Sequence, residues 1–181
     1  MFARSDVDKV IKFSSDDDEI NLEYLYTIGL SHAKRGKPRD AIFYFDKVLS
    51  VEPNHVDALV NKGNALGKLG KYEAAIATYD IALKFKPDNA VCLLNRGLAL
   101  HYTRRYEEAI SCYDKILSHN PDNANALYHK ACTKSIQRDA NTALELLERA
   151  IRINSEFASK ASGDKDFDTI RADTRFKALI A

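Results

Sequence analysis

The chain has 181 residues, of which 45% are hydrophobic and 29% charged, and its 27 basic and 26 acidic side chains leave a formal charge of +1. Such a composition suits a soluble globular protein with one ordinary core, and neither sign of charge is in excess enough to argue for nucleic acid or an anionic membrane surface. No apolar run reaches the roughly eighteen residues of a membrane span, the opening MFARSDVDKVIKFSSDDDEI is too polar for a signal peptide, and Cys92, Cys112 and Cys132 form no CxxC pair, so a cytoplasmic protein with reduced thiols is expected.

In chain order, residues 1–21 form an N-terminal segment. Ser5 with Asp8 fits a capping box beside the apolar Val7, Val10 and Ile11, which predicts either a short helix over 5–13 or the remainder of an upstream repeat. The acidic run 16–19 reads as a solvated stretch leading into the first helix.

From residue 22 the chain repeats itself. GKYEAAIATYDIALKFKPDN at 70–89 returns as RRYEEAISCYDKILSHNPDN at 104–123, and Pro53, Pro87 and Pro121 mark the same interval of 34 residues. Four units follow without insertion, 22–55, 56–89, 90–123 and 124–157. Position 4 of each unit reads Leu25, Leu59, Leu93, Leu127; position 8 reads Gly29, Gly63, Gly97, Ala131; position 20 reads Ala41, Ala75, Ala109, Ala143; position 24 reads Phe45, Tyr79, Tyr113, Leu147. Helical spacing puts positions 4, 8 and 11 on one face of a first helix, and 20, 24, 27 and 28 on one face of a second. The small residues at 8 and 20 allow the two backbones to approach, with the aromatic at 24 filling the space beside them. Pro near the end of each unit cannot continue the second helix, and the Asp or Asn after it can cap the next first helix. Beyond the fourth unit, residues 158–181 are expected to act as a cap: in ADTRFKALI, Asp173 or Thr174 starts a helix whose Phe176, Leu179 and Ile180 cover the exposed end of the array. Ser155, where earlier units have Pro, predicts that the fourth unit's second helix runs on or turns less sharply.

These columns resemble the tetratricopeptide repeat family, whose pattern has a large residue at 4, Gly or Ala at 8, Ala at 20, an aromatic at 24, Ala at 27 and Pro at 32. The second unit is most similar, through Leu59, Gly63, Leu66, Gly70, Tyr72, Ala75, Tyr79, Ala82 and Pro87, and the DF, then RF, ending is similar to one found after many such arrays. The departures are His32 and Lys134 at position 11, Pro38 and Ala140 at position 17, and Ser155. The resemblance implies an all-α fold, a right-handed superhelix of helix-turn-helix repeats, with the first helices lining its concave side.

On that side the first unit would supply Glu23, Tyr26, Leu30 and Lys34; the second Asp57, Val60, Asn64 and Lys68; the third Val91, Leu94, Leu98, His101 and Tyr102; the fourth Asn125, Tyr128, Cys132 and Ile136. The family's carboxylate clamp of chaperone adaptors would need cations where Val60, Asn125 and His129 stand, although Asn64 and Asn95 fit it, so an acidic C-terminal tail is not the expected ligand. A mainly apolar stripe favours another protein's aliphatic or amphipathic segment held along Leu94, Leu98, Tyr102, Tyr128 and Ile136; the alternative is a homo-oligomer or self-filled groove, occupied by the chain's own or a neighbouring copy's segment. His101, His129 and Cys132 invite zinc, but no carboxylate stands at a suitable spacing, and DKDFD at 164–168 lacks the Gly and Glu of a calcium loop, so neither metal nor cofactor is expected. GxSxG, Walker-type, GxGxxG and HExxH strings are absent, and no catalytic role is expected. The basic cluster Lys34, Arg35, Lys37 and Arg39 reads as a solvated corner, with no nucleic acid and no membrane as partner.

Overall fold

The computed structural model describes residues 21–181; the helix or repeat remnant expected over 5–13 lies outside them. Eight helices make four antiparallel pairs: α1 (Leu22–Lys34) with α2 (Pro38–Val51), α3 (Val56–Lys68) with α4 (Tyr72–Phe85), α5 (Ala90–Tyr102) with α6 (Tyr106–His119), and α7 (Ala124–Ile136) with α8 (Ala140–Ile153). Each pair packs on the next, giving an α-solenoid with no strand among the described residues. Each first helix begins at the same register because the residue before it closes the first turn. The side chains of Asn21, His55, Asn89 and Asn123 accept the amides of Tyr24, Ala58, Cys92 and Ala126 at 2.9, 3.2, 2.9 and 3.0 Å.

Within each pair the ring at position 24 lies directly over the glycine at position 8. A Cβ built on Gly29, Gly63 or Gly97 would come within 2.6, 2.4 or 2.5 Å of Phe45, Tyr79 or Tyr113. Those rings are at most 2% exposed, so none of them can swing aside into water. The fourth pair makes the same contact with the volumes exchanged, Ala131 against Leu147, both fully buried.

The turn between paired helices imposes a second constraint. Position 15 is left-handed in all four units, held by Gly36 and Gly70 (φ 69° and 71°) and by Arg104 and Arg138 (φ 61° and 63°). Between units, the acid at position 25 reaches the base at position 7 of the next: Lys62 to Asp46 at 2.6 Å, Arg96 to Asp80 at 2.7 Å, and Lys130 to Asp114.

The end of the array departs from expectation in one respect. α8 does not run on; it stops at Ile153, and Asn154 takes the extended cap conformation (φ −142°, ψ 109°) that Glu52, Lys86 and Asn120 adopt before their prolines. The Asn154 side chain replaces the proline's constraint by accepting the Glu156 amide at 3.0 Å. A further helix, α9 (Glu156–Gly163), then packs against α8, followed by a 3-10 turn (Lys165–Phe167) against α7 and by α10 (Thr174–Leu179), capped by Asp173 as expected. Phe176 is fully buried, its ring centroid 5.5 Å from that of Phe167, and Arg171 ties the segment together by donating to the carbonyls of Ser162 and Asp164 at 2.6 and 2.7 Å.

Two measurements check these constraints. Gly97→Ala is expected to cost about 1–3 kcal/mol in urea denaturation through overpacking, and adding Tyr113→Leu, which reproduces the Ala131–Leu147 pair, is expected to recover most of it. Arg104→Gly is expected to gain about 0.5–1 kcal/mol, because relief of the left-handed backbone outweighs the added chain entropy.

Candidate functional site

The concave side divides into an open and a covered part. The open part is a cavity of about 600 Å³ across the first three pairs, whose lining includes Ala33, Pro38, Asn61, Asn64, Leu98 and Tyr102. Its floor is a row of amides set by the helix-pair packing. Tyr79, pressed over Gly63, extends its hydroxyl to Asn64 Oδ1 at 2.8 Å, and Asn95 donates to the same oxygen at 2.8 Å. Asn61 donates to the Tyr26 hydroxyl at 3.0 Å and to the Asp57 carbonyl at 2.8 Å. One wall is aromatic: Tyr102, 60% exposed, stacks on Tyr72 with ring centroids 5.0 Å apart.

Of the residues expected on the inner stripe, Tyr26, Leu30, Asn64, Leu94, Asn95, Leu98 and Ile136 are half-buried, and Val91 and Tyr102 are exposed. Val60, His101, Tyr128 and Cys132 are buried, and of these His101 and Cys132 line a second cavity rather than the open one. The burial of Tyr128 and Cys132 has a clear cause: the chain's own C-terminal segment lies over them. The Tyr128 ring stacks on Phe157 at 4.7 Å and meets Phe167 edge-on at 5.7 Å, with the Lys160 ammonium 4.3 Å from its centroid. Its hydroxyl donates to Asp164 Oδ2 at 2.7 Å, and Cys132 donates to that oxygen at 3.7 Å. Burial is also the first cause that raises both groups' affinity for their protons. A second cavity, of about 850 Å³, lies between this segment and α5 and α7; Leu98 and Tyr102 border both cavities. His129 in its wall is held near a pKa of about 3 by burial first, then by the Lys160 and His101 charges.

Asn61, Tyr72, Asp164 and Asp166 were not among the residues expected on the stripe. Tyr72, at position 17 of the second unit, braces the exposed Tyr102. Asp164 and Asp166 lie beyond the last repeat, where no period relates them to α5 and α7.

Profiles of the tetratricopeptide repeat match residues 26–90, 90–123 and 112–145. Together with the stacked helix pairs they define the class, a helical-repeat solenoid. The chain belongs to the tetratricopeptide repeat family. No curated protein matches it. Among solved structures, MamA from Desulfovibrio magneticus RS-1 is similar at 20% identity and a TM-score of 0.72, covering 88% of this chain and 93% of that one. YrrB, a TPR protein described as having an unusual peptide-binding site, is similar at 22% identity and a TM-score of 0.70, over 78% and 74% of the two chains. The first TPR of Spaghetti (RPAP3), bound to the HSP90 peptide SRMEEVD, is similar at 22% identity and a TM-score of 0.63, over 65% and 93%. No helix of the described residues is long and apolar enough to cross a membrane.

The amide floor has a measurable role in the fold. Asn64→Ala removes the acceptor of a hydroxyl on a residue only 2% exposed, and is expected to lower stability by about 1–3 kcal/mol in urea denaturation.

Proposed function

We propose that the protein is an adaptor that holds a segment of another protein, apolar or amphipathic, in the open cavity of its first three units, and that it has no catalytic step of its own. The observation that carries this is the pairing of two chemistries in one trough: an aromatic and aliphatic wall of the exposed Tyr102 with the half-buried Tyr72 and Leu98, beside the row of Asn61, Asn64 and Asn95. A peptide laid there places side chains against the rings and main-chain polar groups within reach of amides. Val60 is buried and apolar, and Asn125 and His129 stand where the carboxylate clamp has cations, so an acidic tail lacks the clamp's three charges, although Lys68 borders the cavity. The partner-facing residues in this reading are Tyr26, Leu30, Asn64, Val91, Leu94, Asn95, Leu98 and Tyr102. We keep the four units 22–55, 56–89, 90–123 and 124–157, a cap over 158–181, a cytoplasmic setting, and no nucleic-acid or membrane partner.

One observation favours self-occupation for part of the groove: α9 and the 3-10 turn already cover Tyr128 and Cys132. A homo-oligomer would extend that arrangement by seating a neighbouring copy's segment in the open cavity. Leu98→Asp with Tyr102→Asp is the test, because both sites border the cavity and neither supports the helix-pair docking. Capture of partner proteins from the native host is expected to be lost in the double variant, with helicity by circular dichroism unchanged; each central anchor contributes about 2 kcal/mol or more. Light scattering over a concentration series separates the readings: a monomer throughout supports a foreign ligand, and association that the double variant abolishes supports self-assembly. Undiminished capture by the double variant excludes the groove.

A further inference from the structure

The second cavity holds a set of side chains that peptide binding does not use. Cys132 Sγ and one carboxylate oxygen each from Asp164 and Asp166 lie within 4.8 Å of one another, and His101 Nε2 stands 3.0 Å from Asp166 Oδ2. The acids belong to DKDFD, where one oxygen of Asp164 does cap a turn by accepting the Asp166 amide at 3.1 Å; its other oxygen faces inward, accepting from the Tyr128 hydroxyl at 2.7 Å and from Cys132 at 3.7 Å. The fold thus supplies to Cys132 and His101 the carboxylates that local spacing could not.

The hydrogen bonds around His101 decide what can stand between it and Asp166. Thr133 is fully buried, and its hydroxyl donates its single proton to the His129 carbonyl at 2.9 Å. That hydroxyl also lies 2.9 Å from His101 Nδ1, and where it accepts there Nδ1 carries the ring proton. Nε2 of the neutral ring then presents a lone pair to a carboxylate oxygen, a repulsive contact unless a proton or a metal cation is shared between them. A second histidine proton satisfies only this pair. A metal would engage Cys132, Asp164 and Asp166 as well, in place of the Cys132–Asp164 hydrogen bond, and the buried Thr133 then fixes the tautomer as the outer partners of metal-bound histidines do.

We propose that Cys132, Asp164, Asp166 and His101 form a binding site for a divalent transition metal of the zinc class. Sulfur, imidazole nitrogen and carboxylate oxygen together are a zinc-type donor set, whereas calcium and magnesium take oxygen alone. Ligands around a tetrahedral zinc stand about 3.3–3.8 Å apart, so Cys132, Asp164 and Asp166 have to close by about 1 Å, and His101, which lies outside that set of three, has to follow Asp166 to join them. The metal joins α5 and α7 to the C-terminal segment and fastens that segment over the fourth unit.

Cobalt(II) added to the reduced, chelator-treated full chain is the direct test, since a thiolate–cobalt bond produces a charge-transfer absorption that oxygen and nitrogen ligands do not. The expected result is one cobalt per chain with that absorption, displaced by zinc. Cys132→Ser should remove it, while Cys92→Ser and Cys112→Ser should retain it. Asp166→Asn, a change at a partly exposed site, is expected to weaken cobalt binding by about tenfold or more and serves as the deciding variant should Cys132→Ser fail to fold. Absence of the absorption in the folded parent chain, its persistence in Cys132→Ser, or unchanged affinity in Asp166→Asn overturns the site and leaves a hydrogen-bonded latch in its place.

Discussion

Contact between a ring and a bare α-carbon is the interaction on which the rest of this molecule depends. Phe45, Tyr79 and Tyr113 occupy the volume that a side chain at Gly29, Gly63 or Gly97 would need, and the two helices of each pair take their separation from that fit. Interiors packed at crystal density have no slack to absorb an added methyl group, so the column at position 8 admits nothing larger than alanine. Where it does become alanine, at Ala131, the facing ring has become Leu147.

The same fit shapes the concave side. A phenylalanine at position 24 carries no polar atom, whereas the tyrosine of the second unit brings a hydroxyl as far as the inner face. Tyr79 finds Asn64 there, and Asn64 in turn accepts from Asn95 of the next unit, so a packing residue orients two amides of the trough. In the third unit Leu98 stands at the asparagine's column, and the fully buried Tyr113 hydroxyl finds no well-formed hydrogen bond among the described residues. The trough therefore changes character along its length, from amides at Asn61, Asn64 and Asn95 to apolar and aromatic surface at Leu98 and Tyr102.

Much of this was legible in the sequence because the repeat is its own alignment: four copies in one register expose which columns must be small, which bulky and which capping. Features without a column were not legible. The left-handed residue at position 15 is glycine twice and arginine twice, so identity alone hides a shared backbone conformation. Asn154 ends a helix without proline by accepting an amide from Glu156. Helical spacing places a residue on a face of its own helix and says nothing of what covers that face, and Tyr128 and Cys132 lie beneath a segment outside the period. The placement of Asp164 and Asp166 against α5 and α7 is likewise a long-range result of how Phe157, Phe167 and Phe176 pack.

The ion pairs at the unit borders carry a consequence for cooperativity. Docking inside a unit rests chiefly on the rings over the glycines, whereas each border adds a charge pair whose cation, Lys62, Arg96 or Lys130, is only 27%, 20% or 18% exposed. Dissolved salt weakens such pairs without touching the rings over the glycines. Ionic strength thus loosens the coupling between neighbouring units while leaving each helix pair intact, and the solenoid becomes more pliable along its axis as the medium becomes more saline.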